Sequence, residues 1–246
     1  MFGAFLGNKI EYAKLPNNIT EIPSHLFYDN KLKSITIPES VTTIGSSAFD
    51  TNSLESINIP SNVTSLGEQA FCRNNITSAV IPDSITQIPN HLFYSNKLKS
   101  VVLPKNLVSI GNYAFSYNKI NAITLPDTLE TIGLWAFIEN NLTSVTIPNN
   151  VTVIGGKAFH SNKINSLTIG NSVTTISEGA FYDNKLTNVI IPESVTTIEE
   201  KAFNRNQLTS VKIKGKSSSD EFTTYGELLW GWASGYGDSN IEWNYS

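Results

Sequence analysis

Apolar residues return along this chain with a fixed step of 22. Residues 32–53 show the unit: Leu32, Ile35 and Ile37, then Val41, Ile44, Ala48 and Phe49, with polar residues between them. The alternation closing Leu32-Lys33-Ser34-Ile35-Thr36-Ile37 predicts a short strand with one face buried. Pro38 has no N–H to give a ladder, so pairing stops there. Val41 and Ile44 point inward on a return path, which ends in a tight Gly45-Ser46-Ser47-Ala48-Phe49 turn of 3₁₀ or α form. Each strand then pairs in parallel with its copy 22 residues on, and ten strands at about 4.8 Å spacing span about 45 Å.

The repeat is regular to the end of the array. Phenylalanine falls on the step ten times, from Phe5 through Phe115 to Phe203, and an asparagine follows each one three positions later, from Asn8 to Asn206. Proline keeps the same step from Pro16 to Pro192, with Gly170 in the one gap. A period of this length is the mark of a stacked-repeat solenoid. Ala48 leaves room for the phenylalanines to stack as a spine. The asparagine amides are placed to satisfy backbone groups of the neighbouring rung, because buried backbone groups must be paired.

Two regions depart from the pattern. After Ile213 the run Gly215-Lys216-Ser217-Ser218-Ser219-Asp220 predicts a flexible turn. Ser219 or Asp220 could cap a helix running to about Trp230. Asn240-Ile241 and Trp243 resemble a last degenerate rung displaced by a 12-residue insertion. The division is an array over 1–214 and a cap over 215–246, since a solenoid needs an atypical unit to close its core. At the other end Phe2-Gly3-Ala4-Phe5 shows no comparable cap. The chain opens inside a repeat, so Met1 reads as an imposed start, and self-association through that edge is an expected contact.

Composition narrows the function classes. A net charge of −4 and a pI near 5.4 argue against nucleic acid, which needs a basic footprint. No apolar run reaches membrane-spanning length. Cys72 is the single cysteine, so neither an intrachain disulfide nor a thiolate metal site is expected. Its column holds Asp50, Tyr94 and Ser116, which predicts a partly exposed thiol. His25 and His91 occupy one repeat position three rungs apart, about 15 Å by strand spacing, too far to share a metal. No nucleophile–base pair is placed by any motif, and no cofactor or metal is expected. The Asn-x-Thr sequons at Asn18, Asn62, Asn75, Asn141 and Asn150 follow from the repeat's own preferences.

Function in a repeat array should lie in the columns free to vary. On the strand face these hold Ser78, Val80, Ser100, Val102 and Thr124, a flat hydroxyl surface with a mild apolar strip. The turn side varies more. The column of Ser47 and Gln69 becomes His91, Tyr113 and Trp135 in successive rungs, with Tyr94, Tyr117, Leu134 and Ile138 in neighbouring columns. Adjacent rungs bring these into one aromatic patch, and exposed apolar patches of this kind mark contact sites.

The run Leu54, Ile57, Ile59, Pro60, Val63, Leu66, Gly67, Ala70, Phe71 and Asn74 resembles the repeat of the BspA-like (Treponema-type) leucine-rich-repeat class, and residues 4 to about 214 follow it. Pro23 and Pro89 stand where that pattern has glycine, and Leu26 and Leu92 where it has alanine. The resemblance implies a right-handed leucine-rich-repeat solenoid of the α/β horseshoe type with a C-terminal cap. It also implies a bacterial secreted or cell-surface protein without catalysis, binding a host or matrix protein in adhesion. Two alternatives stand beside that: a spacer presenting another domain, and a glycan-binding module using the tryptophans of the cap.

Overall fold

The computed structural model describes residues 3–216, 224–225 and 241–243. The chain winds as a parallel β-solenoid of about nine turns, each one repeat long. Two ladders run along it. One lies at the expected strand position, in Ser78–Val80, Ser100–Val102, Ser144–Thr146, Ser166–Thr168, Asn188–Ile191, Ser210–Ile213 and Ile241–Trp243. It is not the continuous ten-stranded sheet expected: it divides into patches of two, two and three strands. Between the first two patches the rung-to-rung bonds stretch, with Asn121 N donating to Lys99 O and Thr143 N to Asn121 O, both at 3.4 Å, so the regular ladder lapses.

The second ladder is the one the return path was not expected to form. Two-residue strands recur at Glu21–Ile22, Thr43–Ile44, Ser65–Leu66, Gln87–Ile88, Ser109–Ile110, Thr131–Ile132, Val153–Ile154, Thr175–Ile176 and Thr197–Ile198. From Gln87–Ile88 to Thr224–Tyr225 they make seven strands in an unbroken parallel sheet. Register holds at 22 residues, as in Thr43↔Ser65 and Ile44↔Leu66. Isoleucine ends nearly every strand, buried between the two sheets.

No helix occurs among the described residues, so the expected helical turn is corrected. The reason is conformational. Two columns four residues apart take left-handed backbone in each rung, as in Ser47 (φ 53°) and Thr51 (φ 56°), and a helix cannot pass through such a residue. The turn instead sends its N–H groups forward to the next rung: His25 N to Ser46 O, Phe27 N to Ala48 O and Asp29 N to Asp50 O, each at 2.9 Å. Outside the turn the N–H groups go both ways: Gly45 N donates backward to Ile22 O at 2.8 Å, and Ile81 N forward to Val102 O at 3.0 Å. Rungs approach closely at the turn entrance, where a Cβ on Gly67 would sit 2.2 Å from Ser46 N.

The spine forms as the spacing predicts. Phe5 to Phe203 stack in succession with ring centroids 5.3–6.1 Å apart. Beside it the asparagines tie rungs together. Asn52 Nδ2 donates to Phe27 O of the preceding rung at 2.8 Å, and its Oδ1 accepts from Leu32 N at 3.0 Å.

At the C-terminal end Thr224–Tyr225 is a strand paired with Thr197–Ile198, where a helix to about Trp230 was expected. The rest of that span lies outside the described residues, as do Trp230 and Trp232. Ile241–Trp243 pairs with Val211–Ile213, joining Val211 to Ile241. The degenerate rung is therefore real, with an insertion of eight residues rather than twelve.

Candidate functional site

The left-handed columns hold the variable side chains of the turn side, and the sequence fills the middle of one with rings. His91 and Tyr113 stack at 4.8 Å and 8° between planes, and Tyr113 and Trp135 at 5.5 Å and 21°. Lys157 continues the column with its Nζ 5.2 Å from the centre of the Trp135 ring, held also by Glu178 at 3.0 Å. Tyr94 meets Tyr117 edge-on at 5.4 Å and Tyr113 at 6.3 Å. Such ring pairs each contribute about 0.5–1.5 kcal/mol beyond burial, so the group is a fixed surface.

Of the expected patch, His91, Tyr94, Tyr113, Tyr117, Leu134 and Trp135 come together, with Tyr117 and Leu134 the most exposed at 42% and 49%. Ile138 does not belong to it. It shares a column with Tyr94, but its side chain is 2% exposed and buried like those of Asp50, Cys72 and Ser116 there. The rings stand face to face along the column, so the stack shows solvent mainly their edges. Burial lowers the His91 pKa below its ordinary value, with Glu68 opposing.

On the strand face Ser78 pairs with Ser100 and Val80 with Val102, leaving the two valines 63% and 58% exposed. Thr124 is exposed on the same side but lies outside any strand.

Three arrangements were not foreseen. Arg73 reaches back one rung to hold Asp50, which is fully buried, through Nε–Oδ1 at 3.1 Å and Nη2–Oδ2 at 2.7 Å. This two-pronged geometry is the strong form of the pair. A second stack joins His160 to Tyr182 at 4.8 Å, under the Arg205 guanidinium at 5.4 Å. The third is Lys157 over Trp135. In every case the signal was column membership: each pair joins residues of the same or adjacent columns one rung apart.

Cys72 is buried, not partly exposed, as are Asp50, Ser116 and Ile138 of its column. Burial first, and the Asp50 charge second, push its thiol up to about 12. At pH 8 the native thiol should therefore react with iodoacetamide at least about a hundredfold slower than the urea-unfolded chain, whose thiol titrates near 8.5. Equal labelling rates would contradict the buried placement.

A family model described as a BspA-type leucine-rich repeat region, in six copies, matches residues 2–121 and 108–225. No curated protein sequence matches the chain. Among solved structures, a leucine-rich repeat protein from Bacteroides ovatus has 21% identity and a TM-score of 0.55, covering 94% of this chain and 82% of that one. A leucine-rich repeat protein from Eubacterium ventriosum has 23% identity and a TM-score of 0.51, over 89% and 67%. The pneumococcal vaccine antigen PcpA has 19% identity and a TM-score of 0.52, over 84% and 74%. At these identities the likeness is one of fold.

Proposed function

The chain belongs to the BspA-type leucine-rich-repeat family, and from that premise we propose that it is a noncatalytic binding module of a secreted or cell-surface protein. Its turn-side aromatic group docks a protein ligand, a host or matrix protein, in adhesion. The observation that carries this is the ladder His91–Tyr113–Trp135 with Tyr94 and Tyr117 packed edge-on beside it. Tyrosine and tryptophan held rigid lose little entropy on binding and are the residues that dominate interface energies. The pneumococcal antigen among the similar folds supports a surface setting. Among the described residues no helix is long and apolar enough to cross a membrane.

Protein is favoured over glycan by the ring orientation. A sugar stacks on an open ring face, and in this ladder neighbouring rungs cover the faces. Edges carrying phenol hydroxyls and an indole N–H suit a protein surface, where they can donate hydrogen bonds.

The test is a binding screen of the purified protein against extracellular-matrix proteins and a glycan array. A Tyr113→Ala/Trp135→Ala variant runs beside it, once circular dichroism shows that it folds. Loss of two anchors at about 2 kcal/mol each weakens binding by a hundredfold or more. Unchanged affinity in the variant would remove the ladder from the interface. Absence of any ligand at high micromolar concentration would leave the spacer reading ahead.

A further inference from the structure

The aromatic ladder ends at a notch. A cleft of about 350 Å³ lies beside it, lined by Leu134 and Trp135 on one wall and by Lys157, Ser177, Glu178 and Glu199 around Gly156 on the other. One residue opens a side of the notch. Gly156 stands in the column of Ser46, Glu68, Asn90, Asn112 and Leu134, all of which carry side chains. Its backbone does not need glycine: φ lies outside the left-handed region, and an added Cβ would meet only Leu134 Cδ2 at 3.4 Å and Glu178 O at 3.5 Å. What glycine provides here is space.

The polar groups around that space are unevenly matched. Two carboxylates face one ammonium. Glu178 Oε1 holds Lys157, and Glu199 Oε2 accepts from Glu178 N at 2.8 Å, so each carboxylate keeps an oxygen with no partner among the described residues. The main chain is also short of an acceptor. At three steps of this column a side chain takes the N–H of the next rung, as Asn90 does from Asn112 N and Asn112 from Leu134 N, both at 2.8 Å. Leu134 has no acceptor, and the N–H of Gly156 has none among the described residues. A second cleft of the same volume, near Glu68, Pro89 and Gly111, has no aromatic wall and one carboxylate.

We infer that this notch receives a lysine or arginine side chain of the protein ligand. The aliphatic stem lies along Leu134 and the Trp135 edge, and the cationic head meets the free oxygens of Glu178 and Glu199. Lys157 shows the chemistry within the chain, since it already spans the Trp135 ring and Glu178. The N–H of Gly156 is left to take the main-chain carbonyl of the same ligand residue. This inference deepens the proposed function and rests on the turn side being the binding face, although its test does not need the natural ligand.

N-acetyl-arginine amide and N-acetyl-lysine amide are titrated into the ¹⁵N-labelled protein, with N-acetyl-norleucine amide as the uncharged control. Saturable shifts of the Gly156 amide and the Trp135 indole are expected at millimolar concentrations for the basic amides, and at least tenfold weaker for norleucine. Gly156→Leu should abolish them with an unchanged circular dichroism spectrum, and Glu199→Gln should weaken them severalfold. Equal binding of norleucine amide, or shifts that survive Gly156→Leu, would overturn the assignment, as would the absence of saturable shifts. If a protein ligand is found that needs Tyr113 and Trp135 but tolerates Gly156→Leu, the notch fails and the docking face stands. Saturation by basic amides without any protein ligand would have the opposite meaning.

Discussion

Asn118→Asp should destabilise the array more than Asn118→Ala does, and mild acid should recover part of the loss. Asn118 is 7% exposed and makes four bonds. Its Nδ2 donates to the carbonyls of Phe93 (2.9 Å), Phe115 (3.1 Å) and Ser116 (3.1 Å), while Oδ1 accepts from Leu98 N at 2.9 Å. Alanine strands a buried N–H and the Phe93 carbonyl, at about 1–3 kcal/mol for each group left unpaired. Aspartate keeps the acceptor for Leu98 N but directs a negative oxygen at three carbonyl oxygens. The ionised form is thus penalised by the fold, which raises the folded-state pKa above the unfolded value near 3.9. The penalty is complete above the folded pKa and shrinks as pH falls towards the unfolded one, because the protonated acid can donate where the amide did. Urea melts of both variants and the parent at pH 7 and pH 4.5 decide the matter. Aspartate no worse than alanine at pH 7, or the same pH slope in both, would show that the amide's donor side is dispensable.

Phe115→Ala should cost about 4 kcal/mol, from the cavity and the lost transfer of a fully buried ring. Its ring stacks on Phe93 at 6.1 Å and Phe137 at 5.3 Å, so the change severs the spine at its middle. Each rung of a solenoid contacts only its neighbours, and stability is close to a sum of rung and interface terms. A weakened central interface should therefore let the halves melt apart. All four tryptophans, Trp135, Trp230, Trp232 and Trp243, follow residue 115, so fluorescence reports the C-terminal half and circular dichroism the whole. The two probes should coincide in the parent and separate in the variant. Phe5→Ala, at a ring 45% exposed with stacking on Phe27, is the control and should cost far less. Coincident transitions in Phe115→Ala would mean that the array folds as one cooperative block.

The spine and the asparagine column were legible because an unvarying residue at fixed step can only stack on its own copies. The second ladder was not. Two residues such as Thr43–Ile44 are too short to display an alternation, and their pairing partner lies a full rung away. The left-handed turn was hidden by the residues that occupy it: serine, glutamine, tyrosine, tryptophan and lysine ordinarily avoid that backbone. One trace was present. Gly3 and Gly179 stand in the Ser47 column and Gly7 in the Thr51 column, each with positive φ, so glycine entered wherever the side chain was dispensable. The aromatic group could be read from column adjacency alone. Ile138 was misplaced because its column buries some members, such as Cys72 and Ser116, while Tyr94 reaches the ring group, a difference that column membership does not give.

The mixed direction of the main-chain bonds has an electrostatic consequence. In an α-helix every peptide dipole adds to the next, and the ends acquire partial charges of about half a unit. Here the turn amides point towards the C-terminal end, amides such as those of Thr42, Gly45 and Lys99 point towards the N-terminal end, and the ladders donate to both neighbours, as Ile81 N does forward to Val102 O, so part of each rung's axial dipole cancels. An array built this way gains less axial field with each added repeat than one whose amides all pointed the same way. The residues placed at its end faces then weigh more in setting their polarity.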